Sequence, residues 1–369
     1  MEVLEACANL LGWQEARRRF ETPLLAEEMA FRTRRAERRL LRLLELRYDR
    51  RETVVILEAL ETPTRRTEAL EALDALLSGK LREWILPFLD RGDRTPDLPF
   101  LRDSSFKTPT ALEFMLQQAR HPNPYVVLLA LDALSAAGEE AALPAARAAL
   151  DHPDPRAREA GLRAVARLSD PQCAGLAARL ASDPVAWVAR WAALLRGRAE
   201  DRRRGPAGLM EDGMYGIVEK IALLRSTPLF SNLSGEDLSP LAAAAEFCLL
   251  QPGDTVFAEG DPGDHFFVVI SGSVGMESRG REIQRLGPNE VFGELALFDR
   301  SRQHCSARAL VRCELLRIGA DGFFQVLREQ PEVAESLLAI LAAELRRFQQ
   351  RDAASPAAAA SPPHQSGRS

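Results

Sequence analysis

The sequence is poorest in lysine and in recognisable catalytic motifs. Lysine occurs only at Lys80, Lys107 and Lys220 in 369 residues, and arginine supplies the rest of the positive charge. We attribute this bias to genome composition and not to function. No GxSxG, P-loop, HExxH or protein-kinase signature is present, so the sequence predicts no enzyme of these classes.

Long apolar runs and paired cysteines are also missing. No run of about 18 apolar residues occurs, so no membrane-spanning helix is predicted. The segment from Met1 to Arg17 lacks a basic stretch followed by an apolar core, which predicts no secretory signal. The five cysteines are odd in number and show no CxxC spacing. They favour reduced thiols in the cytoplasm and argue against a disulfide framework or a zinc site.

The overall composition is that of a soluble globular protein. Hydrophobic residues make up 46% and charged residues 27% of the chain, and its length of 369 residues suggests two or three domains. The net charge of −5 gives no basic field, so we expect no nucleic acid partner. We interpret the arginine-rich run from Arg32 to Arg51 as a solvated helix face. The alternative is that this run binds nucleic acid or an anionic partner.

A pattern of about 30 residues recurs in the first half of the chain. Its markers are Pro63, Pro124, Pro155 and Pro184, which stand 61, 31 and 29 residues apart. Apolar or small residues follow at seven, nine and ten positions after each proline: Leu70, Ala72, Leu73, Leu131, Ala133, Leu134, Leu162, Ala164, Val165, Trp191, Ala193 and Leu194. A proline at a helix start with apolar residues at helical spacing is typical of stacked helical hairpins.

This pattern resembles HEAT-type repeats over roughly residues 50 to 200. The resemblance implies an α-solenoid that binds a protein partner and carries no chemistry of its own. The segment from Gly92 to Phe106 lacks helical periodicity, so a loop or a broken repeat is expected there. His121 and His152 recur with the repeat and are expected in the turns between helices.

After residue 245 the sequence pattern changes to short apolar runs separated by glycines. Phe266 to Ile270 and Cys313 to Ile318 are the clearest strands, and short strands with tight turns indicate a β-roll or jelly roll. The fold class is thus an α-solenoid followed by a β-roll with flanking helices. The predicted order is a helical segment 1–35, a solenoid 36–198, a linker 199–213, a β-roll domain 214–351 and a disordered tail 352–369.

The β-roll resembles the cyclic nucleotide-binding domain family over about residues 215 to 350. The resemblance rests on Thr227 to Phe230, Gln251 to Asp254, Glu259 to Asp264, Phe267 to Val274, Leu286 to Pro288 and Phe292 to Leu297. Within it, Val291 to Asp299 is similar to the family's phosphate-binding cassette, in which free backbone N–H groups at the start of a helix suit a phosphate.

The resemblance assigns candidate ligand-binding residues to the cassette and to the loop after it. They are Phe292, Gly293, Glu294, Leu295, Ala296, Arg302, Gln303, His304 and Ser306. The resemblance implies that Glu294 bonds the ribose 2′-hydroxyl of cAMP or cGMP, and that an arginine nine residues later pairs with the cyclic phosphate.

That arginine is not at the expected position. Gln303 stands there, and His304 follows where serine or alanine is expected. One interpretation is that the pocket has lost its phosphate anchor. The other is that the loop from Asp299 to Ser306 slips by one residue and presents Arg302 or Arg300 to the phosphate.

Taken together, these features predict a non-enzymatic, cytoplasmic signalling protein of bacterial type that needs no cofactor or metal. The roll would sense cAMP or cGMP, and the solenoid would bind a protein partner. The final helix, Pro331 to Arg351, carries an apolar stripe and would close over the ligand; packing on the roll or a homodimer seam are the alternatives.

Three rival hypotheses stay open at this point. The chain could be a ligand-independent scaffold with a degenerate pocket. It could be associated with, or derived from, a transporter-like membrane protein, because HEAT repeats followed by this domain resemble the C-terminal part of certain bacterial proteins. It could also be a lyase or DNA glycosylase, as some HEAT-repeat proteins are, although no polar constellation on the solenoid indicates one.

Overall fold

The computed structural model describes most of the two predicted domains. Described residues are 12–32, 63–77, 109–199, 215–231 and 233–329, with the isolated positions 55, 56, 59, 60, 82, 86, 334, 338 and 342. The chain divides into two compact units, Met1–Val218 and Glu219–Ser369. The predicted domain limits stay predictions.

Several predicted features fall outside the described residues. They are the arginine-rich run beyond Arg32, the loop from Gly92 to Phe106, the linker beyond Ala199, most of the helix from Pro331 to Arg351 and the tail. No helix within the described ranges combines the length and apolar character needed to cross a membrane.

The first unit is built from helices. They are α1 (12–19), α2 (23–32), α3 (Arg66–Leu76, after a 3₁₀ turn Pro63–Arg65), α4 (Ala111–Gln118), α5 (Pro124–Ala136), α6 (Leu143–Ala149, after a 3₁₀ turn Glu140–Ala142), α7 (Pro155–Arg167), α8 (Cys173–Leu180) and α9 (Ala186–Ala199).

The turns that open α5 and α7 repeat the same hydrogen bonds. In the first, Nδ1 of His121 accepts the backbone N–H of Asn123 at 3.0 Å, and the Asn123 side chain accepts the N–H of Tyr125 at 2.9 Å. His152 and Asp154 make the same two bonds in the second turn. A proline occupies the first helical position of both helices, where its missing N–H costs no hydrogen bond. The prediction that the two histidines are turn residues is confirmed.

The repeated apolar positions are buried in the central repeats. This holds for Leu131, Ala133, Leu134, Leu162, Ala164 and Val165. The prediction was wrong for Ala72 and Ala193, which are exposed. Pro184 lies two residues before the first residue of α9, so that helix starts late, and Ala192 is buried in place of Ala193.

Arginine–aspartate pairs join successive hairpins of the first unit. Arg147 donates to both carboxylate oxygens of Asp170 at 2.7 and 2.9 Å. Arg158 binds Asp183 in the same bidentate way, also at 2.7 and 2.9 Å. Asp183 accepts in addition the backbone N–H of Val185 near the start of α9, so each of its oxygens is occupied.

The elements after residue 214 form the predicted roll and its helices. They are α10 (Ile217–Ser226), α11 (Gly235–Ala244), β1 (Glu246–Leu250), β2 (Thr255–Phe257), β3 (His265–Ser271), β4 (Val274–Ser278), β5 (Arg281–Leu286), β6 (Val291–Phe292), α12 (Glu294–Phe298), β7 (Ser306–Ala309), β8 (Cys313–Gly319) and α13 (Ala320–Glu329).

The strands pair in two antiparallel sheets, ordered β1-β8-β3-β6 and β2-β7-β4-β5. Strand β3 is buried on both faces, which explains its unbroken apolar run. Phe266 packs outward against Phe323 of α13 with ring centroids 5.4 Å apart. Phe267 points into the roll and stacks on Phe292 at 5.2 Å, and both rings contact Phe257 at 5.9 Å. The predicted fold class is confirmed.

Candidate functional site

The short helix α12 follows a glycine with left-handed backbone. Gly293 has a φ of 81° and turns the chain from β6 into the helix, a conformation that glycine adopts without strain. Glu294 opens the helix and is half-buried, whereas Leu295 is 54% exposed and Ala296 is buried. The predicted turn of helix after a Gly-Glu pair is confirmed.

A second glycine brings a neighbouring loop against this helix. A Cβ added at Gly263 would lie 2.5 Å from the Cβ and 2.7 Å from the carbonyl oxygen of Ala296. Heavy atoms cannot approach so closely, so only glycine fits here without moving the backbone. The loop 259–264 therefore lies directly on α12.

Backbone hydrogen bonds tie loop 259–264 to loop 299–303. The N–H of Gln303 donates to the oxygen of Asp261 and the N–H of Gly260 donates to the oxygen of Gln303, both at 2.8 Å. The N–H of Gly263 donates to the oxygen of Ser301 at 3.2 Å. A shift of loop 299–303 by one residue would break all three bonds, so they fix its register.

The Gln303 side chain is buried inside the roll. The residue is 4% exposed, and its Nε2 lies 3.6 Å from where a Cβ on Gly293 would stand. Within the described part of the chain, its amide makes no hydrogen bond. The amide atoms are not among the fully buried side-chain atoms that lack a hydrogen-bond partner, so solvent reaches them.

A cavity of about 180 Å³ adjoins this amide. Its lining residues are Val256, Phe257, Asp261, Pro262, Asp264, His265, Phe267, Gln303 and Arg317. Three of them (Phe257, His265 and Gln303) are also the groups nearest to Gly293. The cavity thus shares wall residues with the surroundings of Gly293, but its lining includes no residue of α12.

Neither arginine of the loop after α12 lines this cavity. Arg302 donates from its NH1 to the oxygen of Gly260 at 2.8 Å, and the guanidinium of Arg300 lies 5.3 Å from the ring centre of Phe324. The one-residue slip considered from the sequence is therefore not the arrangement found. Its physical obstacle is the set of backbone bonds that hold Gln303 in place.

The predicted residues His304 and Ser306 are not part of the cavity lining. His304 is exposed, and the Ser306 hydroxyl accepts the N–H of Glu259 at 2.9 Å. The thiol of Cys305 lies near the carboxylates of Glu259 and Glu294: burial raises its pKa, and the two carboxylates raise it further. Contact of any of these residues with a ligand stays a prediction.

Arg317 lines the cavity, and its guanidinium is already paired. Its NH2 donates to Oε2 of Glu246. This hydrogen bond raises the pKa of the guanidinium and lowers that of the carboxyl. Its Nε is buried and has no acceptor among the described residues. The pair therefore offers the cavity a donor but little free charge.

Sequence reasoning missed Asp261, Asp264 and Arg317 as cavity residues. Asp264 lies beside His265, with 2.7 Å between Oδ1 and Nδ1, and this adjacency was the signal available in the sequence. Within the ranges that the structure describes, no group of three or more His, Cys, Asp or Glu could hold a metal ion.

Two parts of the chain match known protein families. Residues 248–330 match the cyclic nucleotide-binding domain, and residues 112–195 match HEAT repeats. The first match covers most of the roll, and the second covers nearly all of helices α4 to α9.

The similar proteins named here match about a third of this chain. A "CRP-like cAMP-activated global transcriptional regulator" of Mycobacterium tuberculosis is 38% identical over 122 residues, which are 30% of this chain and 54% of the relative. The "Cyclic AMP receptor protein" of Thermus thermophilus is 32% identical over 128 residues, 33% of this chain and 59% of the relative. This chain thus spans about half the length of the curated relatives it matches.

Among solved structures, the N-terminal domain of a transcriptional regulator from Streptomyces coelicolor A3(2) is 38% identical. The alignment covers 35% of this chain and 95% of that domain, with a TM-score of 0.32. The predicted fusion is confirmed by the two family matches: this chain joins HEAT repeats to a domain of the cyclic nucleotide-binding family.

Proposed function

We propose that this chain is a non-enzymatic regulatory protein that senses a cyclic nucleotide through its roll and binds a protein partner through its HEAT repeats. The family match of residues 248–330 supports the first part, as do the printed names of two relatives, a cAMP-activated regulator and a cyclic AMP receptor. The observation that carries the proposal is Glu294, placed at the start of α12 by the left-handed Gly293.

Glu294 is the group that we assign to the ribose. A carboxylate accepts hydrogen bonds from two hydroxyls at once. The side chain is half-buried, and its negative charge raises the pKa of the Cys305 thiol, after burial and Glu259. Replacing it with alanine removes these acceptors without enlarging a side chain.

Gln303 sets the affinity that we expect for an anionic ligand. An amide donates neutral hydrogen bonds and cannot form an ion pair with a phosphate. A charge-assisted hydrogen bond contributes about 1.5–3 kcal/mol, so its absence weakens binding about 10- to 100-fold. We therefore expect cAMP or cGMP to bind about 10- to 100-fold more weakly than they would with an arginine at this position.

The proposal also assigns roles to parts of the chain in which no site has been described. A solenoid of residues 36–198 would present the surface for a protein partner, and residues 214–351 would form the sensing domain. Movement of the helix predicted from the sequence between Pro331 and Arg351 would carry the signal, in the cytoplasm and as a monomer or a homodimer.

The packing of the roll favours one alternative, a scaffold whose pocket has lost its ligand. The rings of Phe257, Phe267 and Phe292 fill the space between the sheets with centroids 5.2 to 5.9 Å apart. These rings leave less room for a nucleotide than an open pocket would. Gln303 at the expected arginine position also removes the positive charge that would pair with the phosphate.

Calorimetric titration of the full chain with cAMP and cGMP tests the proposal. We expect weak binding that falls at least about tenfold in Glu294→Ala, the loss of roughly one charge-assisted bond. Arg302→Ala is the matched control and should leave affinity within about twofold, because Arg302 bonds Gly260 and does not line the cavity. No binding by the unmodified chain up to millimolar ligand, with binding gained in Gln303→Arg, would establish the scaffold instead.

A further inference from the structure

We propose that the cavity beside Gln303 takes an uncharged purine, a nucleobase or a nucleoside, in preference to a nucleotide phosphate. This inference rests on the proposed function, because it names the ligand class of the same domain. It is argued from the amide, the charges, the walls and the size of the cavity.

The side-chain amide of Gln303 can donate and accept hydrogen bonds, and it has no hydrogen-bond partner among the described residues. The residue is 96% buried and lines the cavity, and its amide makes no hydrogen bond within the described residues. A ligand in the cavity can therefore bond this amide directly. The N6/N7 edge of adenine supplies a donor and an acceptor side by side, and it pairs with a glutamine in this way.

The charges around the amide disfavour an anion. Asp261 and Asp264 are both in the lining, and the guanidinium of Arg317 is bound by Glu246. A phosphate in the cavity would approach two carboxylates and no unpaired cation of the lining. Like charges repel, so this arrangement disfavours an anionic ligand. An uncharged ring system meets neither penalty.

The walls suit a flat apolar body with a polar edge. Val256, Phe257, Pro262 and Phe267 supply apolar surface, and the Nε of Arg317 is a buried donor without an acceptor in the described residues. A volume of about 180 Å³ lies below the range of about 300–1,000 Å³ found for drug-sized ligands. The occupant is therefore a small molecule, of the size of a purine.

Parallel calorimetric titrations of the full chain with adenosine and with cAMP test this inference. The variants are Gln303→Arg, Gln303→Leu and the control Gln284→Arg, which adds the same charge at an exposed position of β5. Far-ultraviolet circular dichroism checks that each variant is folded. If Gln303→Arg does not fold, Gln303→Leu, which keeps the site uncharged, carries the test.

We expect the unmodified chain to bind adenosine at least as tightly as cAMP. Gln303→Leu should weaken adenosine about tenfold by removing its hydrogen bonds, and Gln303→Arg should tighten cAMP about tenfold by adding an ion pair. Gln284→Arg should change neither. Tighter binding of cAMP than of adenosine by the unmodified chain, or an unchanged adenosine affinity in Gln303→Leu, overturns the inference.

The outcomes separate this inference from the proposed function. Binding of adenosine without cAMP supports the uncharged ligand and contradicts sensing of a cyclic nucleotide. Binding of cAMP without adenosine does the reverse. Binding of neither contradicts both.

Discussion

The buried aspartates of the solenoid and the buried Gln303 of the roll differ in their hydrogen bonding. In the solenoid, the side chains of Asp170 and Asp183 are 0% and 3% exposed, and an arginine binds each of them bidentately. In the roll, Gln303 is buried to a similar degree, and the described residues offer its amide no hydrogen bond. A buried group that is fully bonded belongs to the scaffold, whereas one left open beside a cavity is available to a ligand.

The units also differ in what holds each group in place. Side-chain ion pairs connect the helical hairpins, but the loop of Gln303 is held by backbone hydrogen bonds and by the close approach of Gly263 to α12. Mutations should therefore act through charge in the solenoid and through backbone space in the roll.

Removing a buried carboxylate of the solenoid should have the largest effect on stability. In Asp183→Ala, Arg158 loses its carboxylate partner and keeps only the carbonyl oxygens of His152 and Pro153 as acceptors. Its side chain is only 11% exposed, so its charge stays largely buried. We expect the free energy of unfolding of the helical unit to fall by about 3 kcal/mol. Urea denaturation of the full chain, followed by circular dichroism at 222 nm, measures this loss in the unfolding transition of the helical unit.

The control for this prediction is an exposed ion pair of the same unit. Asp151 and Arg179 are 71% and 51% exposed, so Asp151→Ala should cost less than about 0.5 kcal/mol. Equal losses for the two variants would contradict the claim that burial makes the Asp183 pair structural.

An added methyl group on Gly263 should have the next largest effect, in the roll. Gly263→Ala places a Cβ against Ala296 of α12, and such overpacking typically costs about 1–3 kcal/mol. We expect lower stability of the roll and a displaced cassette, seen as altered intensity of the fluorescence of a dye attached near α12 and as an earlier thermal transition.

Gly287→Ala is the matched control in the same roll. The nearest atom to a Cβ there is Oε2 of Glu290 at 3.9 Å, an ordinary contact, so stability should change by less than about 0.5 kcal/mol. If Gly263→Ala is equally harmless, the loop and α12 do not pack as described.

The smallest predicted effect is a pH dependence of the solenoid. The hydrogen bonds from Arg147 hold the pKa of Asp170 below its ordinary value of 3.8. Because the folded-state pKa is lowered, the pair's stabilisation is present above pH 3.8 and is lost as the pH falls through the lower folded-state value. Arg147 is 42% exposed, so we expect less than about 1 kcal/mol.

Asp170→Asn isolates this contribution. The difference in Tm between the unmodified chain and the variant should be constant from about pH 5 to 7 and should shrink below about pH 4. A difference that grows as the pH falls would contradict the sign of the pKa shift.

The solenoid was largely predictable because its signals are local. The His-Pro-Asn/Asp-Pro turns, the helix starts and the buried positions of α5 and α7 all follow from spacing in the sequence. The failure at Ala193 came from one turn, in which the helix begins two residues after Pro184. A late helix start changes which side chains are buried, and the marker proline alone does not reveal it.

The pocket was predictable only in part because its decisive contacts are not local. The Gly-Glu pair at Gly293 and Glu294 allowed the cassette helix to be predicted from the sequence. The position of Gln303, in contrast, depends on backbone hydrogen bonds to Gly260 and Asp261, some 40 residues away. Backbone bonds leave no trace in residue type, so the sequence left the register of the loop open. The cavity residues Asp264 and Arg317 come from two different strand ends and meet only in the fold.

The most direct test of the central claim, that the roll binds its ligand without an ion pair to phosphate, is the salt dependence of binding. The measurement is calorimetric titration of the full chain with cAMP at 50 and at 500 mM sodium chloride, concentrations between which an exposed ion pair is increasingly screened. The account predicts a change in Kd of less than about twofold for the unmodified chain and a clear weakening for Gln303→Arg. A tenfold or larger weakening for the unmodified chain would contradict it.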